Sequence, residues 1–182
     1  PQKGRLRQFH QIGVELLGVA EPLGDIEMIA LGAATLDELG VQGNTRLELN
    51  TLGNTESRTA YRNVLVEYFS DRRGDLSEDS QLRLERNPLR ILDSKSEGDR
   101  PIVNSAPEFD DSLDAESHDF FAEVCAGLDA LKINWHRNSR LVRGLDYYCH
   151  TAFEFTTDAL GAQSAVLAGG RYDRLVEQMG GP

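Results

Sequence analysis

The chain has 182 residues, of which 40% are hydrophobic, and this is enough for one sizeable core or for one domain with an insert. Its formal net charge of −11 argues against non-specific nucleic-acid binding by the whole surface. The sequence has no apolar run near the length of a membrane span and no signal peptide, so we expect a cytoplasmic enzyme without a membrane partner. It starts with Pro-Gln-Lys and ends with Gly-Gly-Pro, and we therefore expect a piece of a longer protein.

The cysteines and histidines show no pattern that would hold a metal. Cys125 and Cys149 are far apart in the sequence, which favours reduced thiols over a disulfide scaffold. The four histidines form no cluster with ligand spacing beside them. We therefore expect no metal site.

Two groups of basic residues stand out against the acidic composition. They are Lys3, Arg5 and Arg7, and Arg137, Arg140 and Arg143. No acidic residue interrupts either group. Each group indicates either a site for a specific anion or an ordinary scatter of surface charge.

The first predicted element is a strand from Gln8 to Leu17. On one face His10 is followed by the apolar Ile12, Val14 and Leu16, and this face is expected to pack inward. The other face has Gln11 and Glu15 on either side of Gly13, which has no side chain. The pattern indicates either a pocket for a small cationic or amine-bearing ligand, or an exposed sheet face.

Helical and strand patterns then alternate. A helix is predicted from a cap at Asp25 to about Leu39, with its apolar side chains on one stripe and Gly40 after its end. A strand is predicted over residues 45–52 and an amphipathic helix over residues 56–70.

The middle of the chain has a different composition. Residues 71–112 are charged and interrupted by prolines, and a short helix over residues 78–86 fits there. Asp114 is expected to cap the next helix, whose apolar stripe starts at Phe120. Residues 54–132 therefore form a predicted helical module, inserted between the strands that precede and follow it.

The stretch from Arg143 to Tyr148 follows a short predicted strand near residues 133–135 and leads into another over residues 152–157. Arginine has a planar fork that matches phosphate or carboxylate, and its charge is permanent. The stretch indicates either an anion site at the mouth of a strand, or a surface arginine after a hairpin with two half-buried tyrosines.

A second glycine-containing stretch lies near the end. A short strand over residues 164–168 runs into Gly-Gly-Arg-Tyr-Asp at 169–173 and a helix at 175–179. Glycine allows close approach of a ligand to the backbone. The chain lacks the phosphate-loop and dinucleotide fingerprints. If ATP binds, we expect it on an antiparallel sheet with arginines.

Three of these segments together resemble one family. GRLRQFHQIGVE at 4–15 resembles the second half of class II aminoacyl-tRNA synthetase motif 2 in its histidine-specific form. LVRGLDYY at 141–148 is similar to the signature of histidyl-tRNA synthetases, and AGGRYDRLV at 168–176 to the segment that follows it. The order and spacing fit as well, and the resemblance covers nearly the whole chain.

The resemblance implies an α+β fold, the class II catalytic core, with an antiparallel sheet flanked by helices. Residues 1–53 and 133–182 would belong to this core, and residues 54–132 would be an inserted helical domain that reaches toward the tRNA acceptor arm. The implied reaction is ATP-dependent activation of histidine to histidyl-adenylate, followed by transfer to tRNA(His).

The resemblance also implies a role in histidine binding for individual residues of this chain. The resemblance implies that Gln11 holds the amino group of histidine and that Glu15 and Tyr148 bind its imidazole. Tyr147 would lie beside Tyr148, and Tyr172 would line the pocket.

The ATP site is implied in the same way. Arg143 would be the catalytic residue, in contact with the α-phosphate of ATP and the histidine carboxylate. Arg5 and Arg7 would lie on the motif 2 loop, near ATP and the acceptor end. ATP is expected with Mg²⁺, because the leaving pyrophosphate is highly charged, and no bound prosthetic group is expected.

Some parts of the family pattern are absent: the first half of motif 2, motifs 1 and 3, and the anticodon-binding domain. Motif 1 belongs to the dimer interface in this family. We expect a homodimer for the full-length protein and no synthetase activity from this chain alone. Arg174 stands where the family commonly has glycine.

Two related proteins are alternatives. The histidine-sensing regulatory subunit of ATP phosphoribosyltransferase shares the fold, but it lacks the inserted module and usually has a degraded signature. A synthetase-like domain of a stress kinase would be expected to have lost Glu15, Arg143 or Tyr148, which are all present here.

Overall fold

The fold is described from a computed structural model over residues 7–142, 147–160 and 165–181. The helices are α1 (Pro22–Glu38), α2 (Thr55–Ser70), α3 (Glu78–Arg86), α4 (Arg100–Asn104), α5 (Ala115–Ala130) and α6 (Leu175–Gln178). The strands are β1 (Arg46–Thr51), β2 (Trp135–Arg137), β3 (Cys149–Thr156) and β4 (Ala165–Arg171). No helix in these ranges is long and apolar enough to cross a membrane.

The strands form one sheet in the order β2-β1-β3-β4. The pairs β1–β3 and β3–β4 are antiparallel, and β1 pairs with β2 in parallel. The parallel pair follows from the connection, because α2 to α5 carry the chain back to the same end of the sheet. The α+β prediction is confirmed, and the sheet has one parallel pair that the sequence did not indicate.

One hydrophobic core lies between the sheet and two helices. Helix α1 contributes Ile29, β1 contributes Leu49, β3 contributes Phe155, and α5 contributes Val124 and Leu128. All of them are buried. Helix α5 therefore packs with α1 and the sheet, although it lies within the predicted helical module.

A second core lies between α2 and the segments that follow it. Tyr61, Leu65 and Phe69 of α2 pack with Ile91 and Phe109, and all five are almost fully buried. The Tyr61 and Phe109 rings are 4.5 Å apart between centroids. This core explains why the amphipathic pattern of residues 56–70 correctly predicted a helix.

The N-termini of α2 and α5 are tied to each other. The Asn54 side chain accepts a hydrogen bond from the amide of Ser57 (2.9 Å), and Asp114 accepts one from the amide of Ser117 (2.8 Å). The side-chain NH₂ group of Asn54 also donates a hydrogen bond to the Asp114 carboxylate (2.6 Å). The predicted cap at Asp114 is confirmed, and the two ends of the segment between the caps lie side by side.

The predicted cap at Asp25 is wrong. Helix α1 begins at Pro22, and its cap residue, Glu21, makes no side-chain capping bond. Proline suits the first helical position, because its fixed φ matches the helix and its missing N–H would have no partner there. Asp25 lies in the first turn instead and forms an ion pair with Arg171.

The predicted strand over residues 8–17 is also wrong. Within the described residues, positions 9–20 belong to no helix or strand, and the face expected to pack inward is exposed, with Ile12 at 96% and Val14 at 59%. A strand needs a neighbour for its N–H and C=O groups, and no described strand pairs with this segment.

Candidate functional site

Three tyrosines predicted from the sequence lie together at one end of the β3–β4 pair. The centroids of Tyr147 and Tyr148 are 4.7 Å apart, and those of Tyr147 and Tyr172 are 5.9 Å apart. The Tyr148 and Tyr172 rings are 6.3 Å apart and nearly perpendicular. The strand register explains the grouping, because Cys149 pairs with Arg171 and so brings their neighbours into contact. We call Tyr147, Tyr148 and Tyr172 the tyrosine cluster.

Gly169 and Gly170 leave room for aromatic rings of the protein itself. A Cβ at Gly170 would lie 2.9 Å from the Thr151 carbonyl oxygen and 3.0 Å from the Tyr148 ring. A Cβ at Gly169 would lie 2.5 Å from the Phe153 ring. Aromatic side chains of the protein itself therefore approach the backbone of the two glycines, and the Tyr148 ring packs against Gly170 of β4.

Glu15 reaches the tyrosine cluster from the other end of the chain. The Glu15 carboxylate lies close to the Tyr172 hydroxyl. Burial and this carboxylate raise the pKa of Tyr172 to about 12. Tyr172 is therefore a protonated donor at neutral pH, next to a carboxylate acceptor.

The other predicted site residues fall into two sets. Gln11 and Arg7 lie in the same exposed segment as Glu15. Arg5 and Arg143 lie outside the described residues. The structure thus brings together Glu15 and the tyrosine cluster.

The basic group near residue 140 has internal partners. Arg137 forms an ion pair with Asp110, and its guanidinium lies 4.3 Å from the centroid of the Phe121 ring. Arg140 donates to the backbone carbonyl of Ala106 (2.9 Å), with longer bonds to those of Asn104 and Pro107. Arg137 and Arg140 thus hold the loop before α5, which favours a structural role for these two of the three basic residues.

Sequence reasoning missed two arginines that hold this region. Arg58 of α2 donates to the carbonyl oxygen of Tyr148 (2.7 Å), and only the folded chain shows this contact. Arg171 is almost fully buried beside Tyr172, and its place inside the Gly-Gly-Arg-Tyr-Asp segment was the signal that could have found it.

A cleft of about 190 Å³ lies between the start of α2 and the tyrosine cluster. Arg58 and Arg174 line it together with Thr55, Tyr147 and Tyr148. Arg174 donates to the Thr55 hydroxyl (3.2 Å) and pairs with Glu177 (3.0 Å). The residue that replaces the usual glycine therefore links α6 to α2 at the edge of this cleft.

Comparison with known proteins decides the family. Residues 1–182 match a family profile described as histidyl-tRNA synthetase. The chain belongs to the histidyl-tRNA synthetase family. This confirms the resemblance inferred from the three sequence segments.

Other members of the histidyl-tRNA synthetase family are similar to this chain in sequence. A histidine–tRNA ligase of Rhodospirillum rubrum is 62% identical over 181 residues, and one of Novosphingobium aromaticivorans is 57% identical over 185 residues. Each comparison covers 100% of this chain and 44% of the relative, so the chain spans less than half the length of these curated relatives. The crystal structure of apo Staphylococcus aureus histidyl-tRNA synthetase matches with a TM-score of 0.71 at 35% identity, over 91% of this chain and 40% of that one.

Proposed function

We propose that the full-length protein is a histidine–tRNA ligase, which activates histidine with ATP and transfers it to tRNA(His). The observation that carries the proposal is the contact between the Glu15 carboxylate and the Tyr172 hydroxyl beside Tyr147 and Tyr148. A neutral imidazole has one N–H donor and one nitrogen acceptor. A carboxylate and a tyrosine hydroxyl can pair with both, and a site with such groups discriminates strongly against side chains that leave them unpaired.

The remaining roles complete the proposed site. Gln11 would hold the amino group of histidine, and Tyr148 would share the imidazole with Glu15. Arg143 would contact the histidine carboxylate and the α-phosphate of ATP, while Arg5 and Arg7 would lie near ATP. ATP would enter with Mg²⁺, and the full-length protein would be a cytoplasmic homodimer. Light scattering of the purified protein tests the dimer.

The test of the function is histidine-dependent exchange of labelled pyrophosphate into ATP by the full-length protein. We expect exchange with histidine and with no other amino acid. Glu15→Ala is expected to raise the KM for histidine roughly ten- to a hundredfold, because it removes a charged hydrogen-bond acceptor. Glu27→Ala, which removes an exposed carboxylate of α1, is the matched control and should leave the KM unchanged.

Binding of histidine without exchange would contradict the ligase proposal and favour the regulatory subunit of ATP phosphoribosyltransferase. The relatives named above, at 57–62% identity, are all histidine–tRNA ligases, which supports the ligase.

We also propose that residues 54–132 form an inserted domain that contributes affinity for tRNA and no part of amino-acid activation. Its own core is formed by α2 and the segments up to Phe109, while α5 attaches it to α1 and the sheet. Because the Asn54 and Asp114 side chains touch, residues 55–113 can be replaced by a short glycine linker without removing α5.

This deletion in the full-length protein is expected to preserve histidine-dependent exchange and to weaken aminoacylation of tRNA. Arg58→Ala serves as the control, because it removes the contact with the Tyr148 carbonyl and keeps the module. Loss of exchange in a folded deletion variant, with exchange retained in Arg58→Ala, would contradict the proposal.

A further inference from the structure

In the described part of the chain, the segment that contains Glu15 belongs to no helix and pairs with no strand. Glu15 nevertheless lies close to Tyr172, so another contact must fix the backbone between Glu15 and α1. Arg171, the residue before Tyr172, makes such a contact. Arg171 ends β4, and its side chain is only 6% exposed.

The Arg171 guanidinium holds the last residues before α1 by their backbone. It donates to the carbonyl oxygen of Val19 from both terminal nitrogens (2.9 and 3.0 Å), and to those of Ala20 (3.1 Å) and Glu21 (3.2 Å). It also donates to two carboxylates, Asp25 on α1 (3.1 Å) and Asp173 (3.1 Å), and lies 5.1 Å from the centroid of the Phe120 ring.

This set of partners requires an arginine. The guanidinium carries five N–H donors in a rigid plane, and it can bind several backbone carbonyls and two carboxylates at once. A lysine would keep the charge but has three donors on one nitrogen, and it cannot reproduce the fork.

The two contacts act on the two ends of a short segment. Arg171 fixes residues 19–21, and the next residue, Tyr172, lies close to Glu15. The side chains of Leu16 and Val19 also pack near Gly24 of α1, but apolar contact does not set the direction of a carboxylate. We propose that Arg171 is a positioning residue that fixes residues 19–21 so that the Glu15 carboxylate faces the Tyr172 hydroxyl. This rests on the proposed function, in which Glu15 binds the imidazole of histidine.

The electrostatics agree with this role. Burial raises the pKa of Asp25, and the nearby Arg171 cation opposes that shift. Although burial disfavours its charged form, the Asp25 and Asp173 carboxylates raise the pKa of Arg171, so it stays charged. Removing the guanidinium would leave a buried carboxylate and three carbonyls without their donor, so Arg171→Lys is a better test than alanine.

The experiment is a double-mutant cycle in the full-length protein, with Arg171→Lys, Glu15→Gln and the double variant. The first readout is the KM for histidine and for ATP in pyrophosphate exchange. Arg171→Lys is expected to raise the histidine KM roughly tenfold or more while the ATP KM stays within about twofold, because a displaced binding group affects its own ligand. In the Glu15→Gln background the same change should have little further effect, since the two residues act through one contact.

The second readout does not depend on activity. The ¹⁹F resonance of 3-fluorotyrosine at position 172 should move in Arg171→Lys and stay in place when that change is made in Glu15→Gln. Arg83→Lys is the matched control, because Arg83 also binds a carbonyl (Arg90, 2.8 Å) and a carboxylate (Asp79, 2.6 Å), but within the helical module. It should move neither readout.

The proposal would be overturned if Arg171→Lys had the same effect with and without Glu15→Gln. It would also be overturned if Arg171→Lys raised the KM for histidine and the KM for ATP equally. If Arg171→Lys fails to fold by circular dichroism, Asp25→Asn should show the same coupling to Glu15 in weaker form, and its absence would overturn the proposal. A parent protein without histidine-dependent exchange would contradict the proposed function, while the ¹⁹F comparison would still decide the role of Arg171.

Discussion

Replacing Arg143 with alanine in the full-length protein is expected to lower the kcat of histidine-dependent pyrophosphate exchange by about two to three orders of magnitude. Attack of the histidine carboxylate on the α-phosphate brings two anions together, and a fixed cation offsets their repulsion most strongly in the transition state. This corresponds to about 3–4 kcal/mol in the activation barrier. The KM values should change much less than kcat.

The control for Arg143→Ala is Arg46→Ala. Arg46 forms an exposed ion pair with Glu48 on β1, and its loss should leave kcat unchanged. A variant at position 143 with normal kcat and a raised KM would make Arg143 a binding residue and would contradict its catalytic role.

The largest expected effect on stability comes from Asp99 in the predicted helical module. Its carboxylate is fully buried and accepts hydrogen bonds from the Ser77 amide (2.7 Å) and from the hydroxyls of Ser77 (2.7 Å), Ser80 (2.6 Å) and Ser94 (2.5 Å). It thus ties the start of α3 to the segment before α4. Asp99→Ala would leave these donors unpaired, and we expect it to lower the free energy of unfolding by about 3–5 kcal/mol, measured by urea denaturation.

The same carboxylate gives a pH dependence. Burial alone would raise the pKa of Asp99, but the hydrogen bonds from Ser80, Ser94 and Ser77 outweigh it and lower the pKa to about 2. A carboxyl with a lowered pKa stabilises the fold above its unfolded pKa near 4, and this contribution is lost as the pH falls toward 2. The contribution at pH 7 is about 2 kcal/mol.

Urea denaturation at pH 7 and pH 3 tests this dependence. The difference in unfolding free energy between the parent and Asp99→Asn should be large at pH 7 and shrink at pH 3. Asp93→Asn, at an exposed position of the same module, should show no such difference at either pH. A difference that is equal at both pH values would mean that the charge on Asp99 does not stabilise the module.

Much of the fold could be predicted from the sequence because the signals are local. The apolar period of residues 56–70 and the short helix at 78–86 match α2 and α3 closely. Asp114 caps α5 as expected, since a cap needs only its own first turn. The family was also evident, because its three signature segments are contiguous strings.

The errors and omissions concern contacts between distant parts of the chain. Residues 8–17 have the alternation of a strand, but a strand exists only with a partner, which the described residues do not provide. Aspartate is a common helix-capping residue, but Asp25 lies in the first turn of α1 and forms an ion pair with Arg171, which is far away in the sequence.

The sequence by itself determined α2, α3 and the start of α5, the family, and the residue types of the proposed histidine site. The tertiary structure decided which of them meet: Glu15 with Tyr172, Arg58 with the Tyr148 carbonyl, and Arg171 with residues 19–21. The physical reason is that local periodicity and capping depend on neighbouring residues, whereas these contacts depend on the strand register that places Tyr148 beside β4.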